Sequence, residues 1–354
     1  MSSFTFNKQK KFKAAVLFKQ KKPLKIIELN LPKKLQRGQL LIKIYYSGIC
    51  GSQIGEIDGV KGKDKYLPHL LGHEGSGRII KVGKGVKRVK VGDEVIFHWK
   101  KNSGINASTP TYKYKDMYIN SGNITSFSEY SVISENRVTK VKNLAKKKIS
   151  ALFGCCLLTG FGVIKNDLKI KPNDKVAIFG AGGLGLANIV YLQKIQPKLL
   201  VALDINERKL KKAIILGADK KLNVLNLSKE KVVDFLKKNK VNKIIENTGI
   251  IKNIESAYEG VTEKGKVCLV GVPKFNKKVR IHTLPIHFGK TLIGCHGGTK
   301  NPEKDINYYI KIFKKNNFKD LKPLISKIGK LKNINTAISD IRSSKIDGRY
   351  VMKL

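Results

Sequence analysis

The chain has 354 residues and carries 71 Lys and Arg against 26 Asp and Glu, a formal net charge of +45, with 63 of the cations Lys and only 8 Arg. At 41% hydrophobic residues it can bury a core, so the charge does not by itself mark a disordered polycation. No apolar run is long enough for a membrane-spanning helix, and the N-terminus lacks the apolar stretch of a secretory leader.

The length suggests two domains. Segments 12–18, 39–46, 77–82, 94–99 and 128–133 are short β-type runs separated by Gly-containing turns, which predicts an irregular β-barrel or sandwich. From about residue 165 the pattern changes. Apolar runs 175–179, 199–203, 243–246, 266–270 and 291–294 alternate with helix-length segments such as 184–195 and 206–216, the signature of a doubly wound α/β domain. Segments 305–316 and 334–342 read as two helices before a terminal strand. The lysines occur in short runs from end to end, without a zinc finger, helix-turn-helix or RNA-recognition signature, so they read as a solvated basic surface and a nucleic-acid partner is disfavoured.

Two sites stand out. After strand 176–179 comes Gly180-Ala-Gly182-Gly183-Leu184-Gly185, then a helix, then a second strand ending at Asp204. In that context Gly180 permits the tight turn, Gly182 admits a pyrophosphate and Gly185 lets helix and strand pack closely. The helix N-terminus offers free N–H groups to the phosphates. Asp204 would accept the adenosine ribose hydroxyls and repel a 2′-phosphate, which favours NAD over NADP, although Arg208 and Lys209 lie nearby. The second site is a ligand set spread over Cys50, His73 and the Cys155-Cys156 pair. Two thiolates and one imidazole make the three-ligand, open-position arrangement of a catalytic zinc. Five Cys, at 50, 155, 156, 268 and 295, are too sparse for a disulfide framework and fit a cytoplasmic chain using thiols for metal binding or packing.

The motifs Gly48-Ile-Cys50-Gly51, Gly72-His73-Glu74, Val91-Gly92-Asp93, Gly154-Cys155-Cys156-Leu-Leu-Thr159-Gly160, the glycine loop and Val270-Gly271-Val272 follow one another in an order that resembles the zinc-dependent alcohol dehydrogenases of the medium-chain dehydrogenase/reductase superfamily, over nearly the whole chain. The resemblance implies a GroES-like β-barrel catalytic domain over 1–157 and 300–354, and a Rossmann NAD-binding domain over 158–299. It implies zinc ligation by Cys50, His73 and Cys155, with Glu74 as a near ligand or neighbouring carboxylate and Cys156 as core packing. Ser52 matches the hydroxyl that takes the alcohol proton. Thr159 and Val270, with Val272, match the nicotinamide wall, Lys209 a ribose contact, Arg349 a pyrophosphate contact and Trp99 a wall of the alcohol pocket. A homodimer or homotetramer is implied as well.

Departures from the family pattern sharpen the expectation. Segment 100–120 contains no Cys, where many relatives hold a structural zinc, so a single catalytic zinc is predicted. Gln53 replaces a frequent Asp, Gly55 a relay histidine and Gly51 a pyrophosphate-binding Arg, so the proton relay must end elsewhere and Arg349 must carry more of the pyrophosphate. His98, adjacent to Trp99 on a strand, should point away from the pocket. His282, His287 and His296 lack ligand spacing and read as fold or subunit-contact residues. The expected reaction is hydride transfer between an alcohol, primary, secondary or polyol, and NAD. A sugar-phosphate or nucleotide-linked sugar is the alternative substrate, and a basic pocket would mark that variant.

Overall fold

In the computed structural model, which describes residues 11–354, six strands form one all-parallel sheet. They are Lys175–Phe179, Leu199–Asp204, Lys220–Asn223, Lys243–Glu246, Lys266–Leu269 and Thr291–Gly294, lying in the order third, second, first, fourth, fifth, sixth. This is the doubly wound arrangement, whose order reverses beside the first strand and leaves a crevice at the strands' carboxyl ends. Val176, Ala177, Ile178, Val201 and Ala202 are fully buried, as strands covered on both faces require. Helices Gly183–Leu192, Glu207–Ile215, Lys229–Lys238 and Ile251–Gly260 connect the strands. Asn206 and Ser228 cap two of them by accepting first-turn N–H groups.

Residues ahead of this sheet, joined by strands Ile325–Lys330 and Arg349–Lys353 from beyond it, build two further sheets of five and seven strands. Five strands, Lys25–Asn30, Lys11–Leu17, His69–Leu70, Met117–Asn120 and Thr111–Tyr114, form the first in that order. The second runs Val138–Lys140, Glu94–His98, Glu74–Val82, Gln39–Ile49, Arg349–Lys353, Ile325–Lys330, with Tyr130–Ser134 also paired to Gln39–Ile49. The antiparallel pairing of Arg349–Lys353 with Gln39–Ile49 returns the chain's end to the strand that leads into Cys50. The Cys-free segment 100–120 folds as a hairpin over Thr111–Asn120, its turn taking Lys115 into the left-handed region at φ 53°.

The expected helix 334–342 is Ile334–Arg342, and the expected 305–316 is Pro302–Lys314, capped by the Asn301 side chain with Pro302 in its first turn. Strand Lys220–Asn223 and helix Lys229–Lys238 were not legible in the sequence, because lysines cover their exposed faces and dilute the periodicity. Among the described residues no single helix is long and apolar enough to cross a membrane. The N-terminal segment, expected to lack a leader, begins outside the described residues.

Candidate active site

Cys50 follows strand Gln39–Ile49 and immediately precedes helix Gly51–Ile57. His73 sits in the turn between His69–Leu70 and Glu74–Val82, and Cys155 lies between the 3-10 segment Lys148–Gly154 and helix Cys156–Gly162. One donor atom from each of the three lies within 4.8 Å of the others. Glycine is required where the chain closes on itself here. Gly72 has φ 98°, and a Cβ there would stand 2.3 Å from Ser126 Oγ; a Cβ on Gly154 would stand 2.2 Å from the Phe97 carbonyl.

The donor chemistry fits zinc. The Gln53 carboxamide meets Nδ1 of His73, while Nε2 is buried with no partner. The carboxamide nitrogen is the atom that meets Nδ1, its oxygen accepting the Cys50 N–H at 3.3 Å, so Nε2 is the ring nitrogen left without a protein partner. A hydrogen bond from the Cys155 thiol draws Cys50 well below its ordinary value against the opposing effect of burial, with Arg349 and His73 helping. The same contact and burial push Cys155 up. The two sulfurs thus face one another in the space that a dication would fill.

Glu74 is placed as a neighbouring carboxylate, while Arg349 is placed differently from expectation. Glu74 is completely buried and stands outside the three-ligand group. Its Oε1 accepts from Arg349 Nη2 at 3.3 Å and its Oε2 from the Cys156 N–H at 3.0 Å. Arg349, expected on a pyrophosphate, points its fork inward to this carboxylate and to the Ile49 carbonyl, leaving Nε without a partner. The physical reason is charge: burial raises the Glu74 carboxyl, and the guanidinium is the cation that opposes that rise. Arg349 still touches the nucleotide loop, since a Cβ on Gly183 would stand 2.4 Å from its Cδ. Cys156 is fully buried, its thiol raised to about 12 by burial.

The glycine loop has the geometry its motif needs. Gly180 turns at φ 88°, Gly182 has open space where its Cβ would be, and a Cβ on Gly185 would stand 1.9 Å from the Gly180 carbonyl. Asp204, at its strand's end, accepts the Ala181 N–H at 2.7 Å through one oxygen and the Asn206 N–H at 2.9 Å through the other. Arg208 is drawn away from it, donating to the Ser344 carbonyl at 2.8 Å and lying 3.7 Å from Asp347. The Lys209 backbone joins the Asn206 cap. Thr159 is buried on helix Cys156–Gly162, Leu184 lies in the first turn after Gly182, and Val270 and Val272 follow strand Lys266–Leu269. Ser52, two residues from Cys50, has a buried hydroxyl oxygen with no partner.

A cavity of about 510 Å³ opens beside His73 and is walled by Trp99, Lys100, Lys101, Arg137, His296 and Lys300, with Asn123 and Ile124. Trp99 is therefore on the pocket, edge-on to His296 with ring centres 4.9 Å apart. His296 was expected to be a fold or subunit-contact residue and instead lines this cavity, because Gly297 and Gly298, both with positive φ, turn the chain back toward Trp99. Arg137 and the three lysines were not singled out in the sequence. Their runs look like the general bias, and only the fold gathers them.

His98 faces the other way. Its Nδ1 donates to the Lys100 carbonyl at 2.7 Å and its Nε2 accepts from Thr139, so the ring is neutral, and burial lowers its pKa to about 4. The unfolded chain takes up this proton near 6.5 while the folded chain resists it, so stability is fully present above 6.5 and is lost as pH falls toward 4. We expect this residue to contribute about 3 kcal/mol of acid sensitivity, read as a steeper loss of urea midpoint below pH 6.5 than in His98→Gln.

Comparison with known proteins agrees with this architecture. The Alcohol dehydrogenase GroES-like domain model matches residues 36–143, and the Zinc-binding dehydrogenase model matches residues 183–315. S-(hydroxymethyl)glutathione dehydrogenase of Synechocystis sp. is 26% identical over 364 residues, covering 95% of this chain and 98% of the relative. The enzyme of the same name from Escherichia coli is 27% identical over 369 residues, with the same coverage. Among solved structures, benzyl alcohol dehydrogenase from Acinetobacter calcoaceticus superposes with TM-score 0.85 at 24% identity, covering 98% of this chain and 99% of that one, a likeness of fold. With three ligands in these turns, a doubly wound sheet with its glycine loop and two matched models that together span about two thirds of it, the chain belongs to the zinc-dependent alcohol dehydrogenase family of the medium-chain dehydrogenase/reductase superfamily.

Proposed function

We propose that this chain oxidises a primary or secondary alcohol, or reduces the matching carbonyl, at Cys50, His73 and Cys155 with NAD bound on the glycine loop. The observation that carries the reading is the three-donor group within 4.8 Å, with its buried free imidazole nitrogen, on the wall of a cavity. When bound, zinc supplies Lewis-acid polarisation of the substrate oxygen, and the nicotinamide takes up or delivers the hydride.

The residues do the rest. Gln53 holds the His73 ring through Nδ1, which leaves Nε2 as the ring nitrogen free of protein partners. Ser52 Oγ, buried and unspent, receives the hydroxyl proton. With Gly55 in place of a relay histidine, that proton leaves through water, a ribose hydroxyl or another side chain. Thr159, Val270 and Val272 bind the nicotinamide side of the cofactor, Gly182, Gly183, Leu184 and Gly185 its pyrophosphate, and Asp204 and Lys209 its adenosine ribose. Trp99 narrows the alcohol pocket.

NAD is favoured because Asp204 is a carboxylate at the ribose position and Arg208 is committed to Asp347 and Ser344. A 2′-phosphate would meet like charge there, and kcat/KM with NADP is expected to be about tenfold lower or less. A metal analysis joined to an NAD and NADP screen against alcohols and their carbonyls tests the reading; no turnover of any alcohol by zinc-loaded protein would overturn it.

We also propose cytoplasmic residence, since the site needs its thiols reduced. Homo-oligomers are proposed on the exposed apolar residues Leu284, Ile286 and Phe288 beside edge strand Thr291–Gly294, with light scattering on the same sample as the check.

A further inference from the structure

We propose that the pocket beside His73 carries an anion subsite, formed by Arg137 with Lys100, Lys101 and Lys300, so that the preferred substrate is an alcohol bearing an oxyanionic group, a carboxylate or phosphate ester, remote from its carbinol carbon. The inference rests on the dehydrogenase reading above and names the substrate class of that site.

Arg137 carries the argument. It is 5% exposed, yet none of the ion pairs found among the described residues includes it. Its Nη1 donates to the Trp99 carbonyl, and its Nε is buried with no partner. A guanidinium has five donors and cannot shed its charge, so one carbonyl leaves most of its capacity and all of its charge unanswered. Burial pulls its pKa below the ordinary value, and no carboxylate opposes the pull. Buried charges are normally paired, and an unpaired one is costly unless something else supplies the counter-charge.

The Trp99 carbonyl alone offers a plainer account, in which Arg137 simply clamps the strand end. That account leaves the rest of the wall unexplained. Lys100, Lys101 and Lys300 line the same cavity, and no Asp or Glu does. Lys100 Nζ donates to His296 Nδ1 at 3.1 Å and lies 5.5 Å from the Trp99 ring centre, so it is held at the wall by neutral partners. A site with His73 on one side and four cations elsewhere, one of them the buried Arg137, presents a positive potential to anything that enters. Arg offers a planar fork to carboxylate and phosphate alike.

The test uses the zinc-loaded protein with benzyl alcohol, 4-(hydroxymethyl)benzoate and 4-(hydroxymethyl)phenyl phosphate. At low salt the anionic alcohols should exceed benzyl alcohol in kcat/KM by about tenfold or more, mostly through KM. Of the two, the better substrate names the source of the anion. The preference should shrink at 0.5 M salt and fall by about tenfold in Arg137→Met. Since that variant removes a buried group and could fail to fold, the exposed pair Lys101→Ala and Lys300→Ala is the second route, expected to lower the same ratio severalfold. As a readout apart from turnover, the benzoate should raise the Tm of the wild-type protein more than benzyl alcohol does, and lose that advantage in the variants. Turnover of benzyl alcohol with an anion-to-neutral ratio near one would overturn the subsite and leave the dehydrogenase reading intact. No turnover of any of the three, with the Tm advantage of the benzoate retained, would overturn the dehydrogenase reading instead.

Discussion

His73→Ala or Cys50→Ser is expected to lose zinc and turnover together, with metal falling from about one per chain to near none and kcat/KM dropping by about three orders of magnitude or more. The expectation follows from the donor geometry. Three donor atoms within 4.8 Å leave a single open position, and removing one leaves too few protein ligands to hold a catalytic ion. The loss should be chemical, not a collapse of the fold. His73 is half-buried, and the strands on either side of it are anchored by their own ladders. Metal analysis, steady-state kinetics and far-UV circular dichroism on the same samples check it, and full activity in either variant would sink the ligand assignment.

Arg349→Leu is expected to destabilise the protein by about 3–5 kcal/mol, because it leaves Glu74 buried without its cation. The carboxylate is fully buried and keeps only the Cys156 N–H once the 3.3 Å contact from Arg349 is gone. The pH dependence distinguishes this from simple loss of packing. Burial already raises Glu74 in the native protein, and without the guanidinium it rises further. The folded variant then holds a proton that the unfolded chain releases near 4.5, so the unfolded state binds fewer protons and stability falls as pH rises above that value. Urea midpoints from pH 5 to 8 should decline more steeply in Arg349→Leu than in wild type. Adding Glu74→Gln should flatten the decline and recover part of the loss, a coupling that independent sites would not show. Unchanged midpoints across this range would mean that the pair contributes little.

The glycine loop and the ligand turns were legible because their chemistry is local. Gly180, Gly182 and Gly185 are demanded by one turn and one helix start, and each occupies the space its motif assigns. The parallel strands were legible for a similar reason: burial on both faces writes a continuous apolar run into four or five consecutive residues. Lys220–Asn223 and Lys229–Lys238 escaped notice because partial exposure admits lysine at positions that would otherwise show the period.

What the amino-acid sequence determined by itself was therefore the architecture, the zinc ligand types and the dinucleotide loop. The tertiary structure alone decided how distant charges meet. It turned Arg349, 275 residues from Glu74 in the chain, inward to that carboxylate. It also brought Arg137, Lys100, Lys101 and Lys300 to one cavity wall while leaving most other lysines in water. A net charge of +45 looks uniform along the chain because each residue's charge is a local property. Its consequence depends on distance and on burial, and both are set only when strands far apart in sequence close on one another.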